Sequence, residues 1–332
     1  MQGPRLSRRA ALTAGLGLVA APRPGAAQGS GTWPERPIRW VVGYPAGGGT
    51  DVLARLVGAA MTESLSQPVV VENRPGAATN VAAEYVANSA PDGYTVFTAG
   101  NETLVFNPAL YRHLTFDVDR DLRPIGLMAR FQLVLAVRQG SSATTARALI
   151  ERAKAEPGRI DYGSPGIGSP HHLAMERLAR DSGGVRFNHV PYRGMAPVLN
   201  DLMAGIVEAA IVDMAAGAET LRSGRVRPLA ACSDQRLSGL PDVPTVDEAL
   251  GLKGFTAYAW QGLTAPSRTP DPIAARLTHE LAKAVAQPAV QARMREIGLE
   301  PLTGGPAEYS ALIRSERAVW VPLIHALGLK LD

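Results

Sequence analysis

Two glycine-rich stretches carry the residue types best placed to do chemistry. The first is Tyr44-Pro45-Ala46-Gly47-Gly48-Gly49-Thr50-Asp51, where a β-rich run gives way to an apolar pattern at helical spacing. Such a loop offers backbone N–H groups at a helix N-terminus, which carries partial positive charge and receives anions. Glycine suits the purpose because a Cβ would hold a ligand away from the backbone. The same pattern also serves a tight structural turn. It is not a Walker loop, since no lysine precedes Thr50, and it is not the G-x-G-x-x-G of dinucleotide sites. The second stretch, from Gly163 through Gly168 to Ser169, follows the same logic and adds Ser164 and Ser169 as hydroxyl donors. Ser169 equally suits the N-cap of the next helix. The stretch is not a nucleophile elbow, because Tyr162 stands where G-x-S-x-G needs glycine.

Two acids accompany these loops. Asp213 closes the run Ala209-Ala210-Ile211-Val212, at a strand end where a cleft should lie, and could face a ligand or cap a helix. Glu102, after Gly100-Asn101, could face the cleft or solvent. A pocket for anions does not tolerate unpaired ionised acids. If both face the cleft, the ligand should carry a hydrogen-bond donor as well as a carboxylate, with Asp213 as the expected partner of that donor. His171 and His172 are adjacent, so on a helix they point apart and do not chelate a metal. A hydrolase reading would need Ser164 or Ser169 within reach of a base, and His171 and His172 are the near candidates. His189, Tyr258 and Trp260 fit a packed core.

The elements that must position these residues alternate. Strands are predicted over 38–42, 69–71, 94–99, 133–137, 160–162, 187–190, 209–213 and 226–232. Helices are predicted from 50, with Thr50 or Asp51 as N-cap, and over 79–90, 145–155, 171–180, 196–203, 216–223, 271–297 and 306–326. This alternation implies parallel sheets covered by helices. Open α/β sheets bind ligands at the carboxyl ends of their strands, so two such units could bring both loops to one cleft.

The chain has 332 residues, 46% of them hydrophobic, which suffices for one large or two modest α/β domains. Residues 1–28 read as a signal peptide: Arg5, Arg8 and Arg9 precede a short apolar stretch, and Gly25-Ala26-Ala27 offers a cleavage site. Ser7-Arg8-Arg9-Ala10-Ala11-Leu12 is Tat-like, and Sec export is the alternative. That segment holds four of the 34 basic residues and no acid, so the remainder balances 30 basic against 30 acidic groups. No basic block of the kind nucleic acid requires is present. The single Cys232 excludes an internal disulfide and reads as a buried strand residue.

Several motifs together resemble one family. They are Arg36-Pro37-Ile38-Arg39, Gly47-Gly48-Gly49-Thr50-Asp51-Val52-Leu53-Ala54-Arg55, Gln67-Pro68-Val69-Val70-Val71-Glu72-Asn73-Arg74-Pro75-Gly76-Ala77 and Pro91-Asp92-Gly93-Tyr94-Thr95. Asn107-Pro108, His189-Val190-Pro191-Tyr192-Arg193-Gly194 and Leu240-Pro241-Asp242-Val243-Pro244-Thr245 follow in order. From Pro34 to the C-terminus the chain resembles the periplasmic substrate-binding proteins of tripartite tricarboxylate transporters, the Bug family. The resemblance implies an α/β, two-lobed fold of the type II periplasmic-binding-protein kind, with a ligand cleft between lobes. Lobe one would comprise 34–130 and 255–332, and lobe two 131–254. It implies a small organic carboxylate as ligand, the membrane components of a transporter as partners, a monomer, and no cofactor, metal or catalysis. The family grips its ligand through backbone N–H groups, hydroxyls and waters. The matching positions here are Tyr44 to Asp51 (with Ala46), Gly163 to Ser169, Tyr192 and Asp213. A periplasmic sensor for a signalling receptor would share the fold. The chain departs from the family at Asn101-Glu102-Thr103, where small hydroxyl residues are usual, and at Gln261, where an aromatic is usual. Pro165, Ile167 and Pro170 also stiffen the second loop. These differences bear on the ligand, not on the fold.

Overall fold

The computed structural model describes residues 33–332, so the signal-peptide reading of residues 1–28 lies outside the described residues. The chain opens with β1 (Ile38–Val42), α1 (Gly49–Leu65), β2 (Val69–Asn73), α2 (Asn80–Ala87) and β3 (Thr95–Gly100). A π-helical turn over Glu102–Phe106 leads to α3 (Asn107–Leu110), α4 (Val118–Asp121) and the long β4 (Leu122–Arg138). Next come α5 (Ala146–Ala155), β5 (Asp161–Ser164), α6 (Pro170–Asp181), β6 (Asn188–Pro191), α7 (Met195–Ala204), β7 (Ala209–Asp213), α8 (Met214–Arg222) and β8 (Val226–Ala231). The chain finishes with α9 (Val246–Leu250), β9 (Tyr258–Pro266), α10 (Asp271–Ala286), α11 (Pro288–Glu296), β10 (Leu299–Pro301) and α12 (Pro306–Ala326).

The strands form two groups that share β4. Residues 122–132 of β4 pair with β9, and residues 133–138 pair with β7 and β8. The first group runs β2-β1-β3-β9-β4, with β10 added on β4; the second runs β4-β7-β5-β6, with β8 also on β4. The result is a two-lobed α/β fold.

The expectation of wholly parallel sheets needs correction. β1 is parallel to β2 and β3, and β5 to β6 and β7, each through a helical crossover. β9 is antiparallel to β3 and β4, and β4 is antiparallel to β7, β8 and β10. β4 and β9 carry the chain between the two groups, so they enter against the direction of their neighbours. The sequence predicts only 133–137 of β4 and none of β9. Pro124 and Gly126 break the β pattern of β4, yet they lie at a register shift, where a bulge tolerates missing donors and side chains. Pro288 likewise divides the expected helix over 271–297, because it forces Gln287 into extended backbone.

Large buried side chains tie the sheet to its helices. The Trp40 indole N–H donates to Thr98 Oγ1 at 2.6 Å, and Tyr309 OH on α12 donates to the Ala99 carbonyl at 2.6 Å. The buried Glu316 accepts from the indoles of Trp260 (3.2 Å) and Trp320 (3.1 Å). Arg177 of α6 stacks over Trp320 and Phe255, and so links helices from the two strand groups. Cys232 is buried, but it lies one residue beyond β8 rather than within it.

Candidate functional site

The first loop follows β1. The N-cap of α1 is Gly48, not Thr50 or Asp51, and no side chain caps the helix. Its first-turn N–H groups, which helix geometry leaves without intrahelical acceptors, are therefore uncapped by any side chain. Asp51 braces the loop instead. It accepts from Gly47 N–H (2.9 Å), Arg55 Nε (3.1 Å) and Asn73 Nδ2 (2.9 Å). Burial pushes its carboxyl up, but these hydrogen bonds outweigh burial and hold it below its usual value. Thr50 is buried. Asn73 also donates to the Tyr44 carbonyl at 3.0 Å, which fixes the start of the loop.

The wall beside it is the end of β3. Gly100 is required there, since a Cβ would meet the Trp260 carbonyl of β9. Asn101 is buried and donates to the Tyr258 carbonyl at 2.9 Å. Glu102 is 8% exposed, so it faces inward rather than solvent. Its Oε2 accepts from Tyr44 OH at 2.6 Å. Burial drives its carboxyl up; the Tyr44 hydroxyl and the nearby His171 pull back only in part. Tyr44 is itself pushed up by burial and by Glu102. Gln261, on β9, is 4% exposed and its Oε1 has no partner.

The second loop follows β5. Ser164 is fully buried. Its Oγ lies 2.6 Å from His189 Nε2 and 3.0 Å from the Gly166 carbonyl. The His189 ring stacks against both Tyr162 and His172, with centroids 4.8 and 4.1 Å away. Burial lowers His172 to about 3, helped by His189, and lowers His189 to about 4. Both rings are therefore neutral at pH 7. His172 Nδ1 accepts from Gly168 N–H at 3.0 Å, and Ser169 Oγ caps α6 by accepting from His172 N–H at 3.2 Å. Gly168 has φ +77°, where a side chain is strained, and a Cβ there would lie 2.5 Å from Leu110 Cδ1 on α3. Tyr192 sits at the end of β6, and its hydroxyl donates to Asp201 at 2.6 Å.

Asp213 ends β7 and caps α8 by accepting from Ala216 N–H at 2.8 Å. Its other oxygen lies 3.1 Å from His171 Nε2. Burial raises this carboxyl, but His171 and the Ala216 N–H prevail and hold it low, so it is ionised. Each oxygen of Asp213 thus already has one partner within the chain. The two strand groups meet at this place. A Cβ on Gly49 would lie 3.2 Å from Ala215 Cβ on α8, and His171 acts electrostatically on Glu102. Tyr44, Glu102 and Gln261 from one group and His171 with Asp213 from the other therefore converge between the two loops.

A family model described as "Tripartite tricarboxylate transporter family receptor" matches residues 53–329. The chain belongs to this family. The protein BugT of Bordetella pertussis is 35% identical over 301 residues, which cover 90% of this chain and 92% of BugT. Among solved structures, R. palustris Rpa4515 with adipate superposes with a TM-score of 0.83 at 34% identity, covering 90% of this chain and 100% of that one. MatC (Rpa3494) from Rhodopseudomonas palustris with bound malate gives a TM-score of 0.79 at 31% identity, covering 88% and 99%. These neighbours have the two-lobed fold, and the family's receptors are periplasmic solute-binding proteins. No helix among the described residues is long and apolar enough to cross a membrane.

Both loops follow strand ends, as the sequence predicts, but the sequence reading missed several side-chain pairings. Ser164 meets His189, not His171 or His172. The parallel register of β5 and β6, which sets Ser164 opposite Pro191, is the signal that brings His189 near. His171 was considered only as a metal ligand or a base, yet it is the partner of Asp213. Gln261 was marked as a departure from the family, and only the structure sets it beside Gly100.

Proposed function

We propose that this receptor is a periplasmic protein that captures a small organic carboxylate and delivers it to the membrane components of a tripartite tricarboxylate-type transporter. The observation that carries this reading is the uncapped, glycine-lined N-terminus of α1, held open by Asp51 and lying close to the start of α8. Backbone N–H groups there suit a carboxylate. The adipate- and malate-bound relatives support the same ligand class. In this reading lobe one is 34–130 with 255–332, lobe two is 131–254, and the ligand lies between them. Contacts are assigned to Tyr44, Ala46, Gly47, Gly48, Gly49, Thr50, Asn101, Glu102, Gly168, Ser169 and Tyr192. Asp51, Ser164 and Asp213 shape the loops around the ligand. The chain acts as an exported monomer, by a Tat-like or Sec route.

Catalysis has no part in this reading. Among the described residues Ser164 is the serine hydrogen-bonded to a histidine ring, and it is fully buried, with its hydroxyl turned into its own loop. The test is a thermal-shift screen of mono-, di-, hydroxy- and amino-carboxylates. A true ligand at 100 times its Kd stabilises the protein by about 2.7 kcal/mol and is recovered unchanged. A screen in which no carboxylate stabilises the protein, or in which one is consumed, refutes the reading.

A further inference from the structure

The inner corner of the cleft is rich in acceptors and poor in donors. Glu102 has two oxygens, of which the structure occupies one, with Tyr44 OH. Gln261 Oε1 is buried without a partner. His171 must present Nε2–H to Asp213, because an ionised carboxylate only accepts. His171 Nδ1, on the far side of the ring from Asp213, is also buried without a partner, and in the tautomer that carries its proton on Nε2 it is an acceptor. Among the described residues no lysine or arginine forms an ion pair with Glu102 or Asp213, and His171 is the partner of Asp213. A buried acceptor without a donor is costly, so such a corner waits for one.

We propose that Glu102, Gln261 and His171 form a donor-reading subsite, and that the ligand carries, at the end away from its carboxylate, an ammonium, hydroxyl or N–H group rather than a second carboxylate. The inference rests on the carboxylate reading above and narrows it. A second carboxylate in this corner would meet the ionised Asp213 and the Glu102 oxygens, with no lysine or arginine paired there to offset them. A donor group would satisfy the atoms left open. Asp213 takes no direct part: it is a positioning residue that sets which nitrogen of His171 is bare.

The experiment is calorimetry with end-substituted straight chains of four, five and six carbons, each offered as the ω-amino acid, ω-hydroxy acid, dicarboxylate and plain monocarboxylate. The wild-type protein should bind the amino or hydroxy member at least about ten-fold more tightly than the dicarboxylate and monocarboxylate of the same length. Glu102→Thr and Gln261→Leu should each lose most of that discrimination while melting cooperatively, and two variants guard against misfolding of either. Equal or tighter binding of the dicarboxylates overturns the inference and leaves the carboxylate reading standing. Discrimination that persists in both folded variants overturns it as well. If no compound of any class binds, the carboxylate reading falls and this inference with it.

Discussion

Mild acid should destabilise this receptor through one histidine. His172 is 3% exposed, stacks on His189, and accepts the Gly168 N–H through Nδ1. Its pKa falls from 6.5 to about 3, first by burial and then by the neighbouring His189. In the unfolded chain the ring titrates near 6.5. Between the two values the unfolded state binds more protons. The stability contribution is therefore whole above about pH 6.5 and is lost progressively as pH falls toward about 3. At about 1.4 kcal/mol per pH unit, the loss through His172 at pH 5 is about 2 kcal/mol. His189, lowered to about 4, acts in the same direction, but it is partly exposed and screened, so its share is smaller.

Urea unfolding of wild type and His172→Gln at pH 7, 6 and 5 isolates the effect. Glutamine can accept the Gly168 N–H through its carbonyl, and it does not titrate. Glu102 and Glu316, which burial pushes up, favour the folded state as pH falls, but they are common to both proteins and cancel in the difference. Asp51 and Asp213, held low, lose their contribution only at still lower pH. Wild type should lose about 2 kcal/mol more than the variant between pH 7 and pH 5. Parallel curves for the two proteins would refute the role given to His172.

Gly48→Val should weaken carboxylate binding at least about ten-fold while the protein still folds, since a Cβ there meets only the Pro45 carbonyl at 3.6 Å; calorimetry beside a melting curve reads both. Glu316→Leu should destabilise by about 2–4 kcal/mol, because it strands the indole N–H groups of Trp260 and Trp320 in the core; chemical unfolding measures it.

What could be read from the sequence follows from what is local. The β-branched runs 38–42 and 209–213 gave their strands directly, and glycine at 47–49 and 163–168 marked both loops, because turn and approach geometry depends on the residue itself. β4 and β9 were obscured because Pro124, Gly126 and Gly262 lower strand propensity. They are strands for a tertiary reason: the bulge in β4 and the packing of Tyr309 against Gly262. The side-chain pairs of the site were the least legible part. Tyr44 meets Glu102 and His171 meets Asp213 only after separate crossovers have set four strand ends side by side. No spacing rule encodes that meeting.

The sharpest consequence of that assembly lies in Asp213→Asn. Asparagine caps a helix about as well as aspartate, so α8 should keep its Ala216 N–H bond. The other half of the amide is different, because an NH2 group would face His171 Nε2, where the carboxylate accepted a hydrogen bond. Two donors cannot meet, so the ring must move its proton to Nδ1 and bare Nε2 to accept. The buried Nδ1 then changes from an acceptor into a donor. Ligands that end in an amine or hydroxyl should weaken by about five-fold, the worth of about 1 kcal/mol, and dicarboxylates should gain. The tautomer is visible in the 15N chemical shifts of His171, independently of binding. A ring that keeps its proton on Nε2, or an equal loss of affinity for both ligand classes, would show that Asp213 holds the loop and does not set the polarity of the cleft.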